Sequence, residues 1–443
     1  MDLLTRPIKP LYFRYLAACF GSSLITSIYA LVDCIVVGQY EGPDGAAALA
    51  VIMPLWSMFF SLGMLFGVGG AVLMSTARGA GDKERGDQYW TVAFFGGCGA
   101  AALLWAGLFL FRDELLTLFG ASAELLPLAQ RYVDWVILAA PLFLVGQLLS
   151  TFLRNDGAPQ KATLAVIAGG VCNICGDVFF VFTCDMGIAG AGLATALGQL
   201  VAFLVLCTHF ISPKCTLRFR RVERPLAVLG RVTASGASSF LTDIAVGVLS
   251  TLFNNQIMRY FGSDALAVYG VIANVTILVQ SCAYGVGNAA QPLLSTNYGG
   301  GKYDRVRRVL GLSIGTAFVL GAVWCAANEL FPGGMVRLFM RPTQAVLDIA
   351  PDIIRVYALS YVLLPFNIFM PYYFQSVMAA PVALGLSVSR GLAVSGALIV
   401  LLPVCIAPEA LWWAMPAAEL VIAAVSWLFL RRSRRSLREA HLP

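Results

Sequence analysis

The chain has 443 residues, of which 59% are apolar and 12% charged, with a net charge of +6 and a mean hydropathy of +0.80. Water-soluble domains carry about 45–50% apolar and about 25% charged residues, so a soluble globule is excluded. The positive charge does not point to nucleic acid, because the basic residues sit in short loops between apolar runs.

In hydrocarbon an unsatisfied backbone group costs several kcal/mol, so only helices and closed barrels cross a bilayer. Barrel strands alternate apolar and polar residues. Here the apolar runs are long and nearly continuous, as over residues 162–182. The sequence therefore predicts an all-α membrane protein. In chain order its twelve transmembrane helices cover residues 11–38, 46–77, 88–111, 124–152, 160–183, 187–212, 231–259, 265–296, 306–330, 345–375, 381–405 and 409–430. Several exceed the ~20 residues needed to cross and are expected to tilt or project beyond the hydrocarbon. The first is too long for the apolar region of a cleavable signal peptide. Most of the eleven cysteines lie inside apolar runs, including Cys172 and Cys175, and read as small packing residues.

Charge sets the expected topology. With the N-terminus inside, 23 of the 30 Lys and Arg fall on the cytoplasmic side and six on the outer side, while Arg390 lies deep in span 11. That asymmetry follows the positive-inside rule, so both termini are expected in the cytoplasm, and the membrane is expected to be the bacterial inner membrane.

The two halves look alike. Phe66-Gly-Val-Gly-Gly-Ala71 is matched by Tyr284-Gly-Val-Gly-Asn-Ala289, and Ser75-Thr76, Gly79 and Gly81 by Ser295-Thr296, Gly299 and Gly301. The reading is two pseudo-symmetric six-helix lobes: an N-terminal lobe over residues 1–212, a cytoplasmic linker over 213–230, a C-terminal lobe over 231–430 and a basic cytoplasmic tail over 431–443. Parallel repeats of this kind suit alternating access around a site between them. No G-x-x-x-x-G-K-[ST] sequence is present, which argues against an ATP-driven pump. No nucleophile–base or metal constellation suggests an enzyme, and no cofactor or resident metal is expected.

Acids inside a membrane are functional candidates, since each costs on the order of 2.5–3.5 kcal/mol at a helix centre. Asp33 lies about seven residues from the outer end of span 1, roughly 10 Å deep at 1.5 Å per residue. Asp177 in span 5 and Thr195 in span 6 each lie about eight residues from their shared outer loop, roughly 12 Å deep. Asn173 is one turn from Asp177 on the same face. Asp33, Asn173, Asp177 and Thr195 therefore form a candidate ion-coupling cluster, and their oxygens suit either H+ or Na+. A purely structural polar network is the competing reading.

Asp243, Arg390 and Glu419 are the candidate polar site of the C-terminal lobe. Arg390 and Glu419 reach similar depth, so an ion pair is expected, structural or coupled. Asp134 lies near the outer end of span 4 and is expected to face water. Met53, Trp56, Phe60 and Met64 of span 2, with Gln291 of span 8, are the candidate lining of a substrate cavity for flat, apolar cations. Packing against lipid is the competing reading for the span-2 side chains.

In their order along the chain these residues resemble the multidrug and toxic compound extrusion (MATE) transporters, in the branch near the DinF-like and MepA-like proteins. The resemblance rests on Val32-Asp33 with Val37-Gly38, Ser75-Thr-Ala-Arg-Gly-Ala-Gly81 and Leu153-Arg-Asn-Asp-Gly157. It continues through Asn173-x-x-x-Asp177, Gly190-Ala-Gly-Leu-Ala-Thr195, Ala290-Gln291-Pro292, Leu386-Ser-x-x-Arg390 and Trp413-Ala-x-Pro416-x-Ala418-Glu419. The chain departs from the family in lacking basic residues over 376–381 and in reading Gly236-Ala-Ser-Ser239 where Gly-x-Pro is common.

The resemblance implies export of small organic, cationic or amphiphilic compounds by proton- or sodium-coupled antiport across the lipid bilayer. It also implies that Asp33, Asn173, Asp177 and Thr195 form the coupling site. A monomer is expected. The alternative is a flippase for a lipid-linked precursor, which would need a long cationic groove.

Overall fold

The computed structural model describes residues 3–339 and 343–439; the side chains of Pro43, Ala46, Asp243, Arg434 and residues 436–439 fall outside that set. Every regular element described is a helix. Twelve of them are long and apolar enough to cross a bilayer. Spans 1 to 6 are Ile8–Tyr40, Pro43–Gly79, Lys83–Leu110, Leu126–Asn155, Pro159–Thr183 and Ile188–Cys207. Spans 7 to 12 are Pro225–Tyr260, Ser263–Gly299, Tyr303–Leu330, Gln344–Ser376, Ala380–Cys405 and Pro408–Ser433.

The spans match those expected, with shifted ends. Span 7 begins at Pro225 rather than at residue 231, because Pro fits the first turn of a helix, where its missing N–H leaves no bond unmade. Two short helices, Arg112–Leu118 and Pro332–Phe339, are additions at matching places in the two halves. The repeat extends to backbone conformation. Gly42 and Gly262 precede spans 2 and 8 with φ of 70° and 80°, and Gly81 and Gly301 follow them with φ of 89° and 65°. Those positions need the left-handed region that glycine enters without steric cost.

The chain divides into two compact units, Met1–Thr5 with Ala17–Phe240, and Arg6–Leu16 with Leu241–Pro443. The first unit therefore includes the start of span 7, and the second includes the start of span 1. Within the first unit, fully buried Trp90 of span 3 meets Phe152 of span 4 edge-on at 4.7 Å. Phe59 of span 2 stacks on Phe143 of span 4 at 5.6 Å. Within the second, Phe253 of span 7 stacks on Tyr269 of span 8 at 4.8 Å.

The turn after span 4 contains a polar hub. Asp156 Oδ1 accepts from Arg78 Nη1 at 3.0 Å. Asp156 Oδ2 accepts from the Thr216 backbone N–H at 3.0 Å and lies 2.8 Å from His209 Nε2, which therefore carries the proton. The Thr216 hydroxyl also donates to Asp156. Arg78 in turn donates to Asp87 at 2.7 Å and to the Thr216 carbonyl at 3.0 Å. Buried Cys215 stands beside Asp156 and His209, but the carboxylate is already engaged by a guanidinium. The trio thus reads as a strap tying the start of the linker to the ends of spans 2 and 4.

Burial works against the Asp156 carboxylate, yet bonds from His209 and Thr216 and the charge of Arg78 outweigh it and hold its pKa below the ordinary 3.8. A depressed acid contributes stability above its unfolded pKa and loses it as pH falls through the folded value. Asp156→Asn is expected to destabilise the protein by about 1–3 kcal/mol at neutral pH. The deficit relative to the native chain should shrink as pH drops below 3.8, which thermal unfolding across an acid series would measure.

Candidate functional site

The candidate site forms where spans 1, 4, 5 and 6 converge. Small residues permit the approach. A Cβ on Gly169 of span 5 would stand 2.7 Å from the Gly198 carbonyl of span 6, and one on Gly198 would stand 2.7 Å from the Gly169 carbonyl. Such contacts replace the hydrophobic drive that lipid does not supply. They bring Asn173, one turn beyond Gly169, against Thr195, three residues before Gly198.

Asn173 Nδ2 donates to Thr195 Oγ1 at 3.1 Å. Tyr132 of span 4 donates to Asp33 Oδ2 at 2.8 Å, and its oxygen lies 3.4 Å from Thr195 Oγ1. Asp33, Tyr132, Asn173, Asp177 and Thr195 are all buried, Asp177 completely. Asp177 also lies within electrostatic range of Asp33. The helix of span 5 closes at Asp177 and continues as a π-turn over Val178–Thr183. Such turns insert an extra residue and occur often at functional sites.

The hydrogen-bond balance of the cluster is one-sided. Asp33 Oδ1, Asn173 Oδ1 and both Asp177 oxygens are buried with no hydrogen-bond partner among the described residues. Buried polar atoms are satisfied in the great majority of cases. No ion pair to Asp33 or Asp177 occurs among the described residues. The site thus offers four buried acceptor oxygens with no cation to match them among the described residues, which suits a proton or a hard cation bound by oxygen.

The four residues expected from sequence are brought together, and Tyr132 joins them. Its hydroxyl links Asp33 to Thr195. The available signal was a tyrosine deep in a span, whose O–H must find a partner when buried. Asp134, two residues further on, faces away and pairs with Arg112.

In the second unit Arg390 donates to Glu419 Oε1 from Nε at 3.0 Å and from Nη2 at 2.8 Å. Asn367 Nδ2 donates to Glu419 Oε2 at 2.6 Å and to its carbonyl at 2.7 Å. The Glu419 side chain is 1% exposed. Arg390 lies in a second π-turn, Ser389–Ala393, so spans 5 and 11 each carry such a turn beside a charged residue. The Asp243 side chain lies outside the described residues. Of the candidate cavity residues, Met53 and Phe60 are exposed and Trp56 is half-buried against Phe59 and Phe143. Met64 and Gln291 are buried instead. Met64 sulfur accepts from Gln147 at 3.3 Å, and Gln291 sits inside the second unit, on span 8.

Twelve spans in two six-helix lobes, with unpaired buried carboxylates in one, define a multi-pass membrane transporter of the duplicated-lobe class. The MatE family profile matches residues 18–179 and 239–399. The chain belongs to the MatE family, whose members are transporters and not enzymes. It is 24% identical over 434 residues to Multidrug export protein MepA of Staphylococcus aureus (strain MRSA252), covering 95% of this chain and 93% of that one. Multidrug export protein MepA of Staphylococcus saprophyticus is 24% identical over 430 residues, with the same coverage of 95% and 93%. Among solved structures, MATE in its straight conformation superposes with a TM-score of 0.91 at 21% identity, covering 99% of this chain and 98% of that one. A MOP-superfamily transporter from Pyrococcus furiosus gives 0.90 at 21% identity over 98% of each chain.

Proposed function

We propose that this chain is a secondary antiporter that exports small organic, cationic or amphiphilic compounds, driven by inward movement of H+ or Na+. Asp33, Asn173, Asp177 and Thr195, with Tyr132, form its ion-coupling site. The observation that carries this reading is the set of four unpartnered acceptor oxygens on Asp33, Asn173 and Asp177, in a cluster without a basic partner among the described residues. The relatives' names, multidrug export proteins, support the export direction and the substrate class. The protein acts as a monomer in the bacterial inner membrane, with both termini and the basic linker in the cytoplasm, the orientation favoured by its Lys and Arg distribution.

A flippase for a lipid-linked precursor is not favoured. It needs exposed cationic groups along a membrane groove, whereas Arg390, the arginine deep in a span, is neutralised by Glu419.

The test is ethidium transport in proteoliposomes under separately imposed proton and sodium gradients. One gradient should drive flux and the other should not. Equal, gradient-independent flux would remove the coupling site from the proposal.

A further inference from the structure

Span 3, the linker and the start of span 7 border an open surface hollow of about 360 Å³ within the first unit. Its walls are Val92, Phe95 and Gly96 of span 3 with Leu226 and Leu229 of span 7. Arg220 and Arg221 stand at its margin, exposed, and neither forms an ion pair among the described residues. Phe95 is 61% exposed and Leu226 80%.

The linker is held in place here. Phe219 stacks on Trp90 at 5.5 Å and touches Phe94 and Phe95 at 5.4 and 5.6 Å. The next residue, Arg220, donates its backbone N–H to Thr91 Oγ1 at 2.9 Å. The guanidinium groups are therefore carried on an anchored strap beside an open apolar wall. The linker also carries Lys214, Arg218 and Arg224 against a single acid, Glu223.

We propose that this hollow binds an anionic glycerophospholipid, its phosphate held by Arg220 and Arg221 and the upper part of an acyl chain lying against Val92, Phe95, Gly96 and Leu226. Two features select this ligand together. The arginines favour an anion, and an apolar wall on a membrane-spanning helix favours hydrocarbon. Basic pockets beside transmembrane helices bind anionic headgroups in this way. Gly96 forms part of the floor: a Cβ there would stand 2.8 Å from Leu229 Cδ1 and 3.2 Å from the Phe66 ring. The site lies apart from the acidic cluster and does not depend on which ion or substrate the protein carries.

The test is native mass spectrometry of the full-length protein released from detergent with dioleoyl phosphatidylglycerol, dioleoyl phosphatidylcholine or glycerol 3-phosphate. Phosphatidylglycerol should be retained over phosphatidylcholine, and glycerol 3-phosphate should not displace it. Arg220→Gln with Arg221→Gln should weaken retention by about 25-fold, about fivefold (about 1 kcal/mol) per arginine. Leu226→Gln, which makes the apolar wall polar at an 80% exposed position without altering charge, should also weaken it. Arg218→Gln with Arg224→Gln removes the same charge outside the hollow and should leave retention within about twofold, well under the 1.4 kcal/mol of a tenfold change. Unfolding temperature would verify that each variant is folded. Equal retention of the two lipids, or equal losses in the two arginine pairs, would overturn the assignment. Displacement by glycerol 3-phosphate would also overturn it, by indicating a bare phosphate site.

Discussion

Asp177→Asn is expected to cut gradient-driven efflux at least about fivefold while leaving the protein as stable as before or more so. The carboxylate is completely buried, and neither of its oxygens has a hydrogen-bond partner among the described residues. A buried carboxyl is expensive to ionise, and no hydrogen bond among the described residues offsets that cost. Asn has nearly the same shape but cannot take up a proton or neutralise a cation. Folding should therefore gain from the exchange, and coupling should be lost. Coupling energies between sites are typically about 1–3 kcal/mol, or about 5- to 150-fold, so initial efflux should fall by at least that lower bound. A stabilised but inactive variant would mark Asp177 as a residue retained for function at the expense of stability.

Asp33→Asn should cause a similar loss of efflux with a smaller gain in stability, because Tyr132 already donates to one of its oxygens. The measurements are ethidium efflux from proteoliposomes under the active gradient, and thermal unfolding of the same preparations. Undiminished efflux by both variants would remove the acids from the coupling step. A large fall in unfolding temperature would instead make the cluster a structural network.

How far the site could be read from the sequence depended on the kind of residue. Asp33 and Asp177 stood out because carboxylates are costly in apolar runs, and a rise of 1.5 Å per residue was enough to put them at similar depth. Asn173 followed from its one-turn offset from Asp177. Tyr132 did not stand out, because a tyrosine in an apolar span reads as an apolar residue until the partner of its hydroxyl is known. The π-turns after Asp177 and around Arg390 also escaped, since a nearly continuous apolar run has no period in which one inserted residue would show. The Asp156 hub joins residues 78, 156, 209 and 216, which only the folded chain brings together. In span 2, aromatic and Met residues looked uniform in sequence, yet Met53 is exposed and Met64 buried. Span 2 is apolar on every face, so composition alone cannot tell which side turns inward.

The C-terminal lobe makes a contrasting prediction. Glu419→Gln is expected to destabilise the protein by about 3–5 kcal/mol, the usual cost of removing one partner from a buried ion pair. Glu419 takes two hydrogen bonds from the Arg390 guanidinium and one from the Asn367 amide, so its charge is matched where that of Asp177 is not. Gln would keep the bond to Asn367 and leave Arg390 charged and unpaired inside span 11. The double variant Arg390→Met with Glu419→Met should recover much of the loss, because it removes both charges and their desolvation cost together. Thermal unfolding of the single and double variants forms a cycle whose non-additivity measures the pair directly. Efflux separates structure from coupling. If the pair only holds spans 11 and 12 together, the double variant should restore transport along with stability. If stability returns and transport does not, the C-terminal lobe takes part in coupling, and the functional asymmetry between the two lobes is smaller than their buried acids suggest.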